Sequence, residues 1–542
     1  MLKVDYIYME ENMKKISILL LLLVIATSFA FAQGEGELAV ANVKGSSVFK
    51  ISNGAEPESL DPHQIQGVPE HRIFQALFEG LVATDPKTGD AIPGVAKSWT
   101  ISADGTQYTF KLRDCNWSDG TPVTAQDVVY SWTRGLDPMT ASPYAWFPCM
   151  FLKGANEFNS GEAGPEALGI RAIDAHTFQM DLIGPLPYVL GALCHYSFGI
   201  VPEQAIEEYG AEWILPENFV GNGPYTLAEW LPQQYIKVVP NDKYWDKDNV
   251  NLDEVYFFAS DDDNTMYNMY LKGELDWITT VPQDQLESAQ LRNDYQVAPQ
   301  LSTYYYIFQT EVEPVNNPDV RKALARSIDR TALVEQITRA GQIPAWGIVP
   351  EMAGYEALAF PDDYNVEAAK QYLSKAGYPD GAGFPTIEIL YNTSEAHKAI
   401  ASFIQQQWKE NLNIKVELVN QEWATYLSSR NAGDFTVSRA GWVGDYQDPN
   451  TFLDMFITGA GMNGGKYSSA TYDKDINDAA RMKAGAERMD ILSAAENQMV
   501  NIDQSIMPLY YYVSVNMVDT DVWGGWYSNT MDYHPVKNIY KK

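Results

Sequence analysis

The stretch from Asp434 to Pro449, reading Asp-Phe-Thr-Val-Ser-Arg-Ala-Gly-Trp-Val-Gly-Asp-Tyr-Gln-Asp-Pro, gathers the residue types best suited to chemistry in this chain. Phe435, Val437 and Arg439 alternate as in a strand, which is expected to run into a loop Gly441-Trp442-Val443-Gly444-Asp445. Taken alone, the segment reads better as a strand and tight turn with a packed Trp442 and a solvated Asp445. Nucleophilic or metal-assisted catalysis has no support, because no G-x-S-x-G, H-E-x-x-H or phosphate-cradling glycine loop occurs. Metal-ligand spacing is also missing: only Cys194 and His195 adjoin. With 71 acidic residues and 13% aromatics, a secreted glycosidase is the rival enzyme reading, but nothing positions a carboxylate pair, and runs such as Asp261-Asp262-Asp263 read as solvated turns.

The elements that must carry these residues read as α/β in the C-terminal half. Asn317 and Pro318 form a helix start, Val320, Leu324, Ile328, Leu333 and Ile337 make one apolar stripe, and Gly341 is the expected end of that single helix. From Pro385 the expected order is a strand (386–391), a helix (395–411) capped by Ser394, a strand (414–419), and a helix from near Glu422. A crossover of that length predicts parallel strands, and ligands gather beyond the carboxyl ends of such strands. Earlier in the chain, 48–52 and 108–112 alternate as strands, and Thr124 can cap a helix carrying Val128, Val129 and Trp132.

Composition narrows the function further. The net charge of −33 repels nucleic-acid phosphates and anionic lipid headgroups, which disfavours both as partners. Lys14 and Lys15 before the apolar run 16–25, followed by Ala30-Phe31-Ala32, predict a secretory signal peptide (1–32) cleaved near Gln33. The run is shorter than the ~20 residues that cross a bilayer. Asp5, Glu10 and Glu11 do not suit a positively charged n-region and are consistent with translation from Met13. No cysteine near the cleavage site could carry a lipid, so the mature chain is expected free in a periplasm-like space. Cys115, Cys149 and Cys194 allow at most one disulfide and require none.

Many ordered motifs then identify the chain as resembling the oligopeptide-binding proteins of ABC importers, the extracellular solute-binding protein family 5. They include Ser59-Leu-Asp-Pro-His63, Phe78-Glu-Gly-Leu81, Trp117-Ser-Asp-Gly-Thr-Pro122, Thr140-Ala-Ser-Pro-Tyr144, Thr303-Tyr-Tyr-Tyr306, Leu390-Tyr-Asn-Thr-Ser394, Val419-Asn-Gln-Glu-Trp423 and Tyr510-Tyr-Tyr512, besides the segment ending at Asp445. The resemblance implies an α/β, two-lobed periplasmic binding protein fold with a hinge and an extra third domain. Domain I would comprise 45–78, 203–301 and 513–542, domain II 79–202, and domain III 302–512. It also implies a ligand site in which Asp445 pairs with a peptide's α-amino group and Gly441, Trp442 and Val443 frame the first side-chain pocket. Tyr144, Tyr305, Trp423 and Val68 would line the cavity, and His397, Arg430 and Arg439 would receive the carboxylate. The implied protein is a monomer that uses no cofactor and no metal, is not an enzyme, and hands short peptides to membrane permease subunits.

The implied site is physically coherent, since a short peptide is a zwitterion whose buried ends need charged partners, while backbone pairing ignores side-chain identity. Two departures stand out. Ser302 and Val443 replace a disulfide-bonded cysteine pair of some relatives, and Thr338, beside Arg339, replaces a lysine that can reach the ligand carboxylate in others. Dipeptides, a metal chelate, haem or an oligosaccharide remain alternative cargoes of the same fold; an acidic partner for an amine favours peptides over sugars.

Overall fold

The computed structural model describes residues 47–352, 354–359 and 364–542, so the expected signal peptide lies outside the described residues. One large mixed sheet organises the chain. Its strand order is Val416–Gln421, Ile387–Asn392, Val437–Val443, Tyr295–Phe308, Ile506–Val518, Trp277–Ile278, Val48–Gly54, Glu254–Ala259, Tyr235–Pro240 and Tyr225–Leu231. At one end Ile387–Asn392 pairs in parallel with both neighbours, and at the other Val48–Gly54 does the same. Those two parallel centres are the lobes. Two long antiparallel strands, Tyr295–Phe308 and Ile506–Val518, run through both, and their register is interrupted between Pro299/Thr303 and Tyr304/Tyr305. The Tyr304, Phe308, Leu324, Ile389, Ile404 and Trp408 side chains make the second lobe's own core, separate from the larger core around Phe49, Phe74 and Trp132.

A further antiparallel sheet lies between 79 and 202, with the order Ala96–Ile101, Gln107–Leu112, Thr177–Asp181, Ile170–Asp174. The helix Ala125–Leu136 packs on it through Trp132, whose ring meets Phe178 and Phe198 at 5.0 and 4.9 Å. Its start is the expected one, strengthened into a capping box: Thr124 Oγ1 accepts from Gln126 N–H, and Asp127 Oδ2 accepts from Thr124 N–H at 2.7 Å.

In the second lobe the strand–helix–strand order from 387 is as expected, with Ile387–Asn392 and Val416–Gln421 parallel and Ser394 capping Glu395–Leu412. Two expectations fail. The single helix from Pro318 to Gly341 is broken: it ends at Arg326, and a new turn starts at Arg330 because Asp329 caps Ala332 N–H at 2.9 Å. That second piece widens into a π-helix, Leu333–Thr338, and Arg339 at φ +54° ends it before Gly341 is reached. The apolar stripe is continuous in sequence but lies on two helices, both buried in the second core. The strand containing Arg439 also spans Val437–Val443, so Gly441, Trp442 and Val443 are strand residues and the loop begins at Gly444. Pairing along Tyr295–Phe308 extends it, with Trp442 opposite Thr303 and Val443 opposite Ser302.

Since Ser302 and Val443 are direct neighbours across the sheet, ladder pairing joins these strands without sulfur. The cysteines are free, and burial raises all three thiols to about 12. Millimolar reductant is therefore expected to leave melting temperature and ligand affinity unchanged; a mapped intramolecular disulfide whose reduction abolishes binding would overturn this.

Candidate ligand site between the lobes

Asp445 follows the carboxyl end of Val437–Val443, where the chain turns into the short helix Asn450–Leu453. Its backbone N–H donates to Thr451 Oγ1 at 2.9 Å, its side chain is 9% exposed, and Oδ2 is buried with no hydrogen-bond partner. Burial, and then the charge of Asp454, hold this carboxyl well above the usual carboxylate range. The loop itself is pinned from below. Arg488 clamps Asp448 with two hydrogen bonds of 2.7 Å, and Asn450 Nδ2 donates to Tyr188 OH, Tyr446 OH and Asp454 Oδ2.

Residues from three parts of the chain wall this carboxyl. Tyr144 stacks parallel to Trp442, with ring centroids 6.5 Å apart, and the Tyr144 ring lies 4.6 Å from that of His195. His195 Nε2 is 3.5 Å from Asp445 Oδ1. His71, on the helix Val68–Leu77, stacks against Tyr533 at 4.4 Å, and both of its ring nitrogens are buried without partners. Trp442 Nε1 and Trp146 Nε1 are likewise buried and unpartnered. A protein interior normally satisfies such groups, so a concentration of them points to a surface made for a polar ligand.

Arg439 stands on the same strand, Val437–Val443. Arg439 donates from Nη1 to Asn392 Oδ1 at 3.0 Å and from Nη2 to Tyr512 OH at 3.2 Å, and its guanidinium lies 5.1 Å above the Tyr304 ring. Gly441 permits this arrangement, because a Cβ there would stand 2.9 Å from Tyr512 Oη and 3.2 Å from Arg439 Nη2. His397, in the first turn of Glu395–Leu412, sits with Nδ1 3.4 Å from Tyr304 OH. Burial and the neighbouring Arg439 charge hold it well below the ordinary histidine value, so it faces the site as a neutral imidazole. Arg430, half-buried at the end of Trp423–Ala432, donates to Asn431 Oδ1 and contacts Met462 Sδ at 3.5 Å. Among the described residues no carboxylate pairs with Arg430 or Arg439.

The remaining expected residues are less uniform. Trp423 stacks on Tyr426 at 5.7 Å and faces Glu70 across the cleft, where burial raises the Glu70 carboxyl to about 7. Tyr305 is buried with its hydroxyl 4.0 Å from Met455 Sδ and its ring against Phe456. Val68 is 40% exposed at the first turn of its helix and is not part of the buried cluster. His195, His71, Tyr196, Tyr533, Asn392 and Tyr512 were not among the expected site residues. The Cys194-His195 pair stood out in sequence only as a possible metal ligand, and among the described residues no group of acids, histidines and cysteines could hold a metal.

The lobes meet over this site: Asn431 Nδ2 donates to Gln66 Oε1 at 2.9 Å, and Gln447 Nε2 donates to Thr88 O at 2.9 Å. A family model for bacterial extracellular solute-binding proteins, family 5 (middle), matches residues 90–464. The chain belongs to this family. Its family 5 relatives include the periplasmic oligopeptide-binding protein OppA of Escherichia coli K12, 38% identical over 500 residues, which cover 90% of this chain and 91% of that protein. Haemophilus influenzae OppA in complex with RPPGFSPFR superposes with a TM-score of 0.87 at 33% identity, covering 92% of this chain and all of the other. The murein tripeptide-binding protein MppA of E. coli gives 0.88 at 36% identity over 92% of this chain and 99% of that one, but its unliganded open form gives only 0.64, over 93% and 98%. This family 5 chain therefore has its lobes drawn together, in an arrangement unlike that open form. Among the described residues no helix is long and apolar enough to cross a membrane.

Proposed function

We propose that this chain is an extracytoplasmic solute-binding protein that captures short peptides between its lobes and delivers them to the permease subunits of an ABC-type importer. The observation that carries the reading is the division of charge in the cleft. Asp445, just past the end of the Val437–Val443 strand, has an unpartnered carboxylate oxygen, while Arg439 on that strand and Arg430 on the Trp423–Ala432 helix carry guanidinium groups without carboxylates. A zwitterion fits that division; a sugar does not. The strand from Arg439 to Val443 and the loop on to Asp445, six residue steps, span at most about 20 Å, which suits peptides of two to five residues at ~3.4 Å each. Neutral His397 would act by donating or accepting a hydrogen bond beside the guanidinium groups. Tyr144, Trp442 and Trp423 offer broad aromatic surface with polar tips that tolerates varied side chains. The protein would work as a monomer in the periplasm, after removal of 1–32, closing about the interrupted register of its two long strands.

Mass spectrometry of ligands carried through native purification, with tryptophan fluorescence on adding tri- and tetrapeptides of mixed sequence, tests this. Recovery of intact peptides and a saturable emission change are expected, because Trp442 and Trp423 lie where the lobes meet. Unchanged fluorescence, melting temperature and scattering radius at millimolar peptide would sink it.

A further inference from the structure

We propose that His195 is a positioning residue for amine recognition: it faces Asp445 with a fixed Nε2–H, and it must be neutral for the Asp445 carboxylate to be free for a ligand's ammonium. This rests on the reading of Asp445 given above and extends it to what controls that carboxylate. His195 is 2% exposed, and its Nδ1 accepts from the backbone N–H of Ser197 at 3.3 Å, with Ser197 Oγ 2.7 Å away. A backbone N–H can only donate, so Nδ1 is the acceptor and the proton sits on Nε2. His195 Nε2 lies 3.5 Å from Asp445 Oδ1, slightly beyond normal hydrogen-bond range, so neither it nor Asp445 Oδ2 has a hydrogen-bond partner. Rings fix the imidazole on several sides: Tyr196 at 3.7 Å, Tyr144 at 4.6 Å, Phe147 at 5.1 Å and His71 at 6.3 Å.

The charge argument follows from this placement. A protonated His195 would neutralise Asp445 from within, and an incoming ammonium would then bring an uncompensated charge into a water-poor site. A neutral His195 leaves the whole carboxylate charge to the ligand. The proton on His195 and the ammonium of the ligand are therefore alternatives. The titratable groups around the ring are Asp445 beyond the Val437–Val443 strand, His71 on the Val68–Leu77 helix, Tyr144, the adjoining Tyr196, and Tyr533, which faces Asp445 and His71. Burial first, and then His71, push His195 well below its ordinary value. Burial and Arg72 likewise lower His71, to about 3.

Parting the lobes takes Asp445, carried by the second lobe, away from His195; an imidazole that then meets water titrates near ~6.5. A group whose neutral form is required in the closed complex supports binding above that value and withdraws support as pH falls through it. Between pH ~7.5 and ~5.5 this weakens binding by about tenfold per histidine. His71 is enclosed whichever ligand is present, so its share cancels when two ligands are compared. His195 does not cancel, because a ligand without an ammonium tolerates the protonated form.

The test is calorimetric titration of trialanine and N-acetyl-trialanine, read as the ratio of their affinities. The wild-type ratio should fall about tenfold between pH ~7.5 and ~5.5, even though the α-amine, titrating near ~7.7–8.0, gains protons over that interval. His195→Gln, which keeps an N–H near Nε2 but does not titrate, should hold the ratio within about threefold of the wild-type value at pH ~7.5 and make it independent of pH. A wild-type ratio equal at both pH values, or a His195→Gln ratio that falls as the wild type's does, overturns the role of His195 while leaving Asp445 in place. Wild-type indifference to acetylation at pH ~7.5 overturns the Asp445 reading and this one together. The wild-type comparison needs no variant to fold, and ligand-free melting curves check that His195→Gln does.

Discussion

Asp445→Asn is expected to weaken binding of free peptides by roughly 30-fold to several thousand-fold, while leaving the melting temperature of the ligand-free protein nearly unchanged. The size follows from where the carboxylate sits. On the proposed function, once the lobes close a ligand's ammonium would have the buried Asp445 Oδ2 oxygen as its partner and little water to replace it. Removing one member of such a buried, hydrogen-bonded charge pair costs ~2–5 kcal/mol, mostly because the other is left unpaired. At about 1.4 kcal/mol per decade that is the range given. Stability without ligand should hardly move, since with the lobes apart the Asp445 side chain is open to water and an amide of the same shape replaces it. N-acetylation of the peptide should cost the wild type a comparable amount and add little to the loss in Asp445→Asn, because each change removes the same contact. Calorimetry of the four combinations settles the matter: additive losses would return Asp445 to being a turn residue.

Much of the second lobe was legible because its signals are local. Ser394 ahead of the apolar-periodic 395–412 stretch, and the strand on either side of it, need only capping and periodicity to be read, and parallel pairing follows from the crossover length. The break after Arg326 was hidden because the stripe Val320, Leu324, Ile328, Leu333 keeps helical spacing across it. What divides the helix is Asp329 competing for the Ala332 N–H, together with a buried Arg321 that reaches out to the carbonyls of Asp503 and Gln504. The extension of the Arg439 strand through Val443 was hidden for a different reason: Gly441 and Gly444 read as turn residues, whereas Gly441 is there to make room for Tyr512 and Arg439. For the site, the residues on the Asp434–Pro449 segment could be found from one stretch of sequence. His195 and His71 could not, being 250 and 374 positions from Asp445 and brought to it only by the packing of 79–202 and of the Val68–Leu77 helix against the second lobe.

Arg488→Met is expected to destabilise the second lobe by ~3–5 kcal/mol and to weaken peptide binding through the loop that carries Asp445. Arg488 is fully buried and holds both Asp448 oxygens at 2.7 Å, while its Nε donates to Ala479 O at 3.1 Å. Its guanidinium also lies 5.4 Å from the Tyr188 ring centroid, and Tyr188 stacks on Tyr446 at 4.5 Å. Methionine fills the space but leaves the Asp448 carboxylate buried, 7% exposed, without a cation. Asp448 would then compete for water, and the turn from Asp445 to Asn450, whose N–H donates to Asp448 Oδ1 at 3.0 Å, would loosen with it. Replacing both partners removes the unpaired charge, so Arg488→Met combined with Asp448→Leu should recover most of the lost stability, as apolar substitution of buried ion pairs often does. Affinity should recover less, because leucine cannot accept from Asn450 N–H and the loop loses that restraint. Urea titration of the single and double variants, followed by peptide calorimetry, separates the two effects. A double variant no more stable than Arg488→Met would show that the loop depends on the ion pair's geometry rather than on relief of a stranded charge.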